Sequence, residues 1–304
     1  MKLKFLLLVI YLSVFGGAIG VFAKVALPAF SPMVMIFYRV LISVVIFTAV
    51  FIYQKKLLSA FKVIFRHWGK FIILSLSCVG LAMVVGFLGL RYTTAINYGL
   101  IYNLSPIFII FFARLLLKEK MGRFDPIFIL MAFLGVAVIV TNGKFAINIL
   151  EPHFFGDFLV LISALGWALY SVLGTRFSRV ASEFDSLTIN FGSLLIGVIF
   201  LSPIVFFGMP DGGITMSALS IKTVLNLLGL AVLSTAFLFF LWFKFIKEKG
   251  GTWASLVAFS ENLSGVLLPV IFLGEKLTPA VLTGGALIVL AVVGKELFDR
   301  KPTA

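Results

Sequence analysis

The sequence has few charged residues, two histidines and a single cysteine. Only 12% of its 304 residues are charged, whereas a typical soluble domain has about 25%. One cysteine, Cys78, excludes an intrachain disulfide. The histidines, His67 and His153, lie too far apart in sequence to indicate a metal site. These absences argue against a soluble enzyme, a disulfide-stabilised domain and a metalloprotein, and we expect no cofactor.

The sequence consists mostly of long apolar runs. Hydrophobic residues make up 62% of the chain. A transmembrane helix needs about 20 mostly apolar residues to cross about 30 Å of hydrocarbon. Ten runs meet this requirement, at approximately 5–23, 32–52, 70–90, 95–117, 125–141, 154–174, 186–207, 224–245, 253–273 and 279–297. The sequence therefore predicts an all-α integral membrane protein with ten transmembrane helices.

The net charge of +13 has two explanations, nucleic-acid binding or basic loops on one side of a membrane. If the N-terminus is cytoplasmic, nineteen Lys and Arg residues fall in cytoplasmic segments and five in outer segments. The excess alternates loop by loop, as the positive-inside rule requires. We therefore expect no nucleic-acid partner. We predict a multi-pass protein of the cell membrane with both termini in the cytoplasm.

Two segments, half a chain apart, end in Glu-Lys after a long apolar run. "RLLLKEK" at 114–120 contains Glu119, and "VIFLGEK" at 270–276 contains Glu275. A shift of 156 residues superposes them. Because five spans is an odd number, the second copy is expected to be upside down relative to the first. We predict two inverted five-helix repeats, residues 1–144 and 145–304, around a central cavity.

Inverted repeats are typical of secondary transporters, whose halves rock about a substrate site near the bilayer midplane. The sequence has no HExxH, GxSxG or P-loop motif. Its predicted loops are too short for a catalytic or nucleotide-binding domain. We therefore predict a carrier for a small organic molecule and not an enzyme.

Two charged residues lie well within predicted spans, Arg39 in the second and Glu261 in the ninth. Charged side chains inside a membrane are costly and usually functional. Three roles stay open for this pair. They could form a buried ion pair that locks the repeats together, they could face the cavity, or their long side chains could snorkel to a membrane interface. In the second case Glu261 binds a cationic group or a coupling proton.

The fourth span is the most polar. Tyr98, Tyr102 and Ser105 are spaced i, i+4 and i+7, so they fall on one helical face. Asn103 lies beside that face, and Pro106 is expected to kink the helix just beyond it. This face could serve helix packing, but an amide and a proline-freed carbonyl also suit a polar cavity.

In the sixth span, Trp167 and Tyr170 share a face at central depth. Aromatic belts lie at membrane interfaces, so the central position weakens the belt interpretation and leaves the cavity as an equal alternative. The predicted substrate-binding residues are Tyr98, Tyr102, Asn103, Trp167, Tyr170, Glu261 and Asn262.

Two stretches carry a resemblance to a known family. They are "YNLSPIFIIFFARLLLKEK" at 102–120 and "FSENLSGVLLPVIFLGEKLTPAVLTGGALIVLAVVG" at 259–294. They resemble the EamA-type permeases of the drug/metabolite transporter superfamily, in which each repeat has a Pro and, further on, a Glu that closes its fourth helix. Pro106 and Glu119 match this pattern in the first repeat. Glu261 and Glu275 match it in the second, where Asn262 replaces the Pro.

The resemblance implies ten helices in two repeats, a central cavity and transport of small metabolites. We expect a monomer or homodimer that exports an amino acid or amino-acid-like compound by alternating access. Protons are one candidate for the coupling ion, and uniport is equally compatible. The runner-up function is broad export of hydrophobic cations or drugs. A membrane-embedded transferase is the alternative from another class.

Overall fold

A computed structural model describes residues 3–118, 124–143, 152–181, 183–208, 213–241 and 251–299. Within these ranges every regular element is a helix, and one isolated β-bridge joins Phe30 to Ile214. Six helices are long and apolar enough to cross a membrane, and a bent pair makes a seventh candidate. The all-α prediction is confirmed for the described residues, while the ten-helix inverted repeat stays a prediction.

We number the apolar helices α1 to α10 in chain order. Their bounds are α1, Leu3–Gly17 with Ile19–Ala26; α2, Pro32–Tyr53; α3, Trp68–Tyr92; α4, Ala95–Leu117; α5, Asp125–Val140; α6, Pro152–Val180; α7, Ser186–Phe207; α8, Ile221–Leu241; α9, Gly251–Leu273; and α10, Pro279–Asp299. The predicted bounds of α2, α3, α4 and α7 agree with these to within two residues. The sixth differs most, because α6 continues to Val180, past the predicted end at residue 174.

A short amphipathic helix, Leu57–Arg66, joins α2 to α3 in a segment that the sequence analysis treated as a loop. Ala60 and Ile64 on one of its faces are buried against the bundle. Its ten residues are too few to cross a membrane. A search for long apolar runs therefore had no means of finding it.

Both α3 and α8 contain a π-helical segment, Leu76–Val85 in α3 and Val232–Phe237 in α8. π-Helical turns are rare and often accompany functional sites. The two segments begin 156 residues apart, which is also the shift that superposes the two Glu-Lys segments.

The fourth helix is interrupted at Asn103 and Leu104 and begins again at Ser105. Pro106 has no N–H with which to reach the carbonyl of Tyr102, one turn earlier. The Ser105 hydroxyl donates to that carbonyl instead. The Tyr102 carbonyl therefore keeps a hydrogen bond although the helix is interrupted.

Glycines bring α1, α4 and α9 into backbone contact. A Cβ added to Gly17 on α1 would lie 2.5 Å from the backbone nitrogen of Gly265 on α9. A Cβ added to Gly99 on α4 would lie 3.2 Å from the Gly265 carbonyl oxygen. Small residues allow helices in lipid to approach this closely. The contact fixes the height of α9 and hence of Glu261, one turn before Gly265.

Packing between the two halves follows a reciprocal pattern. α1 packs on α8 and α9, and α6, five helices later, packs on α3 and α4. α2 packs on α7, and α5 packs on α10. If each helix is replaced by the corresponding helix of the other half, five places away, the same set of contacts results. The contact α1–α9 becomes α6–α4, α1–α8 becomes α6–α3, and α2–α7 and α5–α10 are unchanged.

Candidate functional site

An aromatic cluster lies inside the bundle, where α3, α4, α6 and α8 meet. Its members are Phe87, Tyr98, Tyr102, Trp167, Tyr170 and Phe239. Tyr98 and Tyr102 stack with ring centroids 5.6 Å apart and planes 15° from parallel. Trp167 lies 6.5 Å from Tyr102, 5.6 Å from Tyr170 and 5.8 Å from Phe239. The structure thus brings together the four aromatic residues that the sequence analysis singled out.

Arg39 lies on α2 at the edge of this cluster, with 4% of its surface exposed. Its Nε donates to the Thr235 hydroxyl at 2.7 Å, and its guanidinium carbon is 5.3 Å from the centre of the Phe87 ring. Thr235 lies in the π-helical segment of α8, and its hydroxyl donates to the carbonyl of Leu230, just before that segment. The carbonyl of Arg39 accepts from the Ser43 hydroxyl at 2.8 Å, and its side chain makes no other hydrogen bond in the described part of the chain. Its terminal N–H groups are therefore available to a ligand.

Glu261 lies on α9 with its carboxylate against Gly16 of α1. A Cβ added to Gly16 would fall 2.4 Å from Cδ and 2.5 Å from Oε1 of Glu261. Where the structure describes ion pairs, they join Glu183 to Arg66 and His67, and none joins Glu261 to Arg39. A direct ion pair between Arg39 and Glu261, one of the three roles left open by the sequence, does not occur among the described residues.

The Tyr102 side chain lies within electrostatic range of both Arg39 and Glu261. Cys78, fully buried on α3, also interacts electrostatically with Arg39 and Tyr102. Arg39, Tyr102 and Glu261 therefore lie near one another, although they come from three different helices.

The far side of the cluster is held by a hydrogen-bond chain. The Tyr170 hydroxyl donates to Oδ1 of Asn190 at 2.7 Å, and Asn190 Nδ2 donates to the Ser186 carbonyl at 2.8 Å. Sequence reasoning did not place Asn190 or Thr235 in the site. Asparagine and threonine are common helix-packing residues, and neither stands in a recognisable pattern here.

The remaining predicted residues divide into two groups. Asn103 ends the first segment of α4, and Pro106 lies in the first turn of the second. Glu275, just after α9, accepts hydrogen bonds from the backbone N–H groups of Ala95 and Ile96 at 2.8 and 2.9 Å. It thereby caps the N-terminus of α4. Glu119 and the side chain of Asn262 lie outside the described residues.

A second buried polar group, which we call the Asp157 cluster, surrounds the turn between α3 and α4. Its members are Lys24, Thr93, Asn97, Asp157 and Glu275. Asp157, 1% exposed on α6, accepts from the Thr93 hydroxyl and, at 3.3 Å, from Asn97 Nδ2. The Lys24 ammonium donates to the carbonyls of Leu90 and Thr93.

The sequence analysis did not single out Asp157, because it lies close to the start of the sixth apolar run, which was predicted to begin at residue 154. In the structure α6 begins at Pro152, and packing against α3 and α4 buries Asp157 near this end of the helix.

Comparison with known proteins finds relatives that align with almost the full length of this chain. An uncharacterized transporter of Archaeoglobus fulgidus is 27% identical over 287 residues, covering 94% of this chain and 95% of the relative. The uncharacterized transporter YyaM of Bacillus subtilis is 26% identical over 293 residues, covering 95% and 92%. A protein of known crystal structure has a similar fold, with a TM-score of 0.67 over 98% of this chain and 97% of that one at 19% identity.

The family model of the EamA-like transporters matches this sequence twice, at residues 3–141 and 154–294. Family transporters imply a small-molecule substrate and a lipid environment, and the apolar helices agree with that environment. The chain is therefore a multi-pass, membrane-embedded transporter that belongs to the EamA-like transporter family.

Proposed function

We propose that the protein is a secondary carrier that exports a small zwitterionic metabolite, an amino acid or a similar compound, by alternating access. One observation carries this proposal. Arg39 and Glu261 both lie near Tyr102 in an apolar bundle, and neither has an ion-pair partner in the described structure.

Unpaired charges in a low-dielectric interior are costly and persist where function requires them. A zwitterion offers a partner to each. Its carboxylate can take two parallel hydrogen bonds from the free N–H groups of Arg39, a geometry that guanidinium favours. Its ammonium can approach Glu261 and the face of Tyr102. The aromatic cluster then packs against the substrate side chain.

Three observations support alternating access between two inverted repeats. The π-helical segments of α3 and α8 are separated by the shift that relates the Glu-Lys segments. The reciprocal packing of α1 and α6 has the form expected of two halves with one fold. The family model also matches the chain twice. Export and a location in the cell membrane, with both termini cytoplasmic, follow the family resemblance and the Lys and Arg distribution.

With this orientation the Asp157 cluster lies at the outer end of the carrier. There the α3–α4 turn is held by Lys24 from α1, Asp157 from α6 and Glu275 from α9. These helices come from both halves of the chain. We propose that the cluster closes the outer side, and that its contacts break when the substrate site opens outward.

The test is counterflow in proteoliposomes with a panel of labelled amino acids and blocked analogues. A zwitterion carrier should exchange the free amino acid and be inhibited only weakly by its methyl ester or its N-acetyl derivative. Each derivative removes the charge that one of the two residues needs. Strong inhibition by both derivatives would contradict the proposal.

A second candidate, export of hydrophobic cations, is favoured by the proximity of Glu261 to aromatic rings. It predicts that the methyl ester competes at least as well as the free amino acid, because the ester is cationic. It leaves Arg39 without a role in binding. Recovery of a chemically altered solute would instead indicate the transferase.

A further inference from the structure

We propose that residues 53–68 form a docking surface for the anionic headgroups of membrane lipids. The segment consists of the end of α2, the short helix Leu57–Arg66 and the start of α3. Both flanks are ends of apolar helices, so the segment lies where the bundle leaves the hydrocarbon. This inference does not depend on which solute is transported.

The short helix has two distinct faces. Leu57, Ala60, Phe61 and Ile64 follow the i, i+3, i+4, i+7 spacing of one helical face. Ala60 and Ile64 are buried, and the Phe61 ring lies 5.8 Å from that of Phe191 on α7. One face is thus fixed to the bundle, and the other points away from it.

The outward face carries large apolar side chains. Leu58 is 78% exposed and Phe65 is 74% exposed, and their i, i+7 spacing places them on one stripe. Tyr53 and Trp68, at the two ends of the segment, are 90% and 64% exposed. Tyr and Trp are enriched at the membrane–water interface because their rings are apolar and their tips polar. Four large, exposed apolar or aromatic side chains on one connection fit the acyl–headgroup boundary better than water.

The same surface is strongly basic. Residues 53–68 include Lys55, Lys56, Lys62 and Arg66 and no Asp or Glu. Arg66 pairs with Glu183, whose carboxylate is 3.6 Å away. The three lysines are exposed and have no ion-pair partner among the residues that the structure describes.

The combination identifies the partner. A basic, amphipathic helix lying in the interface binds anionic lipid through buried apolar area together with electrostatic attraction. A soluble polyanion would use the lysines but not Leu58 and Phe65. A neutral lipid would use the apolar side chains but not the lysines. An anionic phospholipid uses both.

The experiment measures how phosphatidylglycerol stabilises the full-length protein in mixed micelles. Thermal unfolding is followed while phosphatidylglycerol replaces phosphatidylcholine at constant total lipid. The test variant is Lys55→Gln/Lys56→Gln/Lys62→Gln. The matched control is Arg91→Gln/Lys222→Gln/Lys276→Gln, which removes the same charge from exposed positions outside residues 53–68.

In the wild type and the control, the unfolding temperature should rise with phosphatidylglycerol. Each basic residue near an anionic surface contributes roughly fivefold in binding, so the test variant should need at least about tenfold more phosphatidylglycerol for the same rise. High salt should weaken the wild-type response. The same lipid dependence in all three proteins, or an equal loss in the control, would overturn the proposal. So would full stabilisation by inorganic phosphate alone.

Discussion

Arg39 shows what a single residue contributes to the proposed site. Its Nε donates to Thr235 and its guanidinium carbon lies 5.3 Å from the centre of the Phe87 ring, so the terminal N–H groups remain for a carboxylate. Lysine cannot keep the Thr235 contact and also offer two parallel donors. We expect Arg39→Lys to lower counterflow of a zwitterionic substrate about tenfold, the effect of losing roughly 1.4 kcal/mol of binding. Inhibition by hydrophobic cations should be unchanged, and a wild-type counterflow rate would remove Arg39 from the site.

Glu261 allows the complementary change. Glutamine has nearly the same shape, so Glu261→Gln should keep the packing against Gly16 and lose only the charge. We expect a rise of about tenfold or more in the substrate concentration for half-maximal exchange, since a charge-assisted contact becomes a neutral one. Glu183→Gln is the control, because that carboxylate pairs with Arg66 and is not part of the proposed substrate site. Equal effects in the two variants would argue against a direct role for Glu261.

Sequence reasoning reached residues that were unusual for their surroundings and missed those that were not. Tyrosine, tryptophan and charged residues are conspicuous in apolar helices, which is why Tyr102, Trp167, Arg39 and Glu261 stood out. Phe87 and Phe239 did not, because the chain has 35 phenylalanines and their positions carry no local signal. Only their contacts in the folded chain, Phe87 with Tyr98 and Phe239 with Trp167, place these two rings in the cluster.

At the scale of helices, two adjacent glycines on α1 should behave differently. A methyl group at Gly16 would meet the end of the flexible Glu261 side chain, whereas one at Gly17 would meet the backbone of α9. Gly16→Ala should therefore displace Glu261 and reduce transport with little loss of thermal stability. Gly17→Ala should separate the helices and lower the unfolding temperature in detergent. The idea is wrong if Gly16→Ala is the less stable variant or transports normally.

Helix bounds were the part of the fold most accessible to prediction, because a membrane requires long apolar runs with charged or flexible ends. The bounds of α2 and α7 were therefore found to within two residues. The π-helical segments and the interruption of α4 depend on individual backbone hydrogen bonds, which hydropathy does not report. Hydropathy likewise does not report the bend of 41° between the two parts of α1.

For the whole molecule, the two halves meet at contacts of different strength. Near Gly265, backbone touches backbone, whereas around the α3–α4 turn the halves are joined by side-chain hydrogen bonds. Close-packed interfaces are stiff, and hydrogen bonds can be exchanged for water as an entrance opens. We therefore expect motion between the halves to occur around the Asp157 cluster while the glycine contact stays closed. The sequence did not predict this difference between the two contact regions, because it depends on which helices become neighbours in the fold.

The single cysteine can report this opening. Cys78 is fully buried beside Arg39 and Tyr102, so a membrane-impermeant thiol reagent added outside reaches it only through an open outer side. Asp157→Ala removes both hydrogen bonds to the α3–α4 turn and should favour the outward-open state, which raises the Cys78 labelling rate several-fold in right-side-out vesicles. Asp185→Ala, which removes the N-cap of α7, is the control and should leave outside labelling unchanged. If Asp157→Ala and the wild type are labelled equally, the cluster does not close the outer side. If both variants are labelled faster, the change reflects general loosening of the bundle, and the hydrogen bonds of Asp157 have no special part in gating.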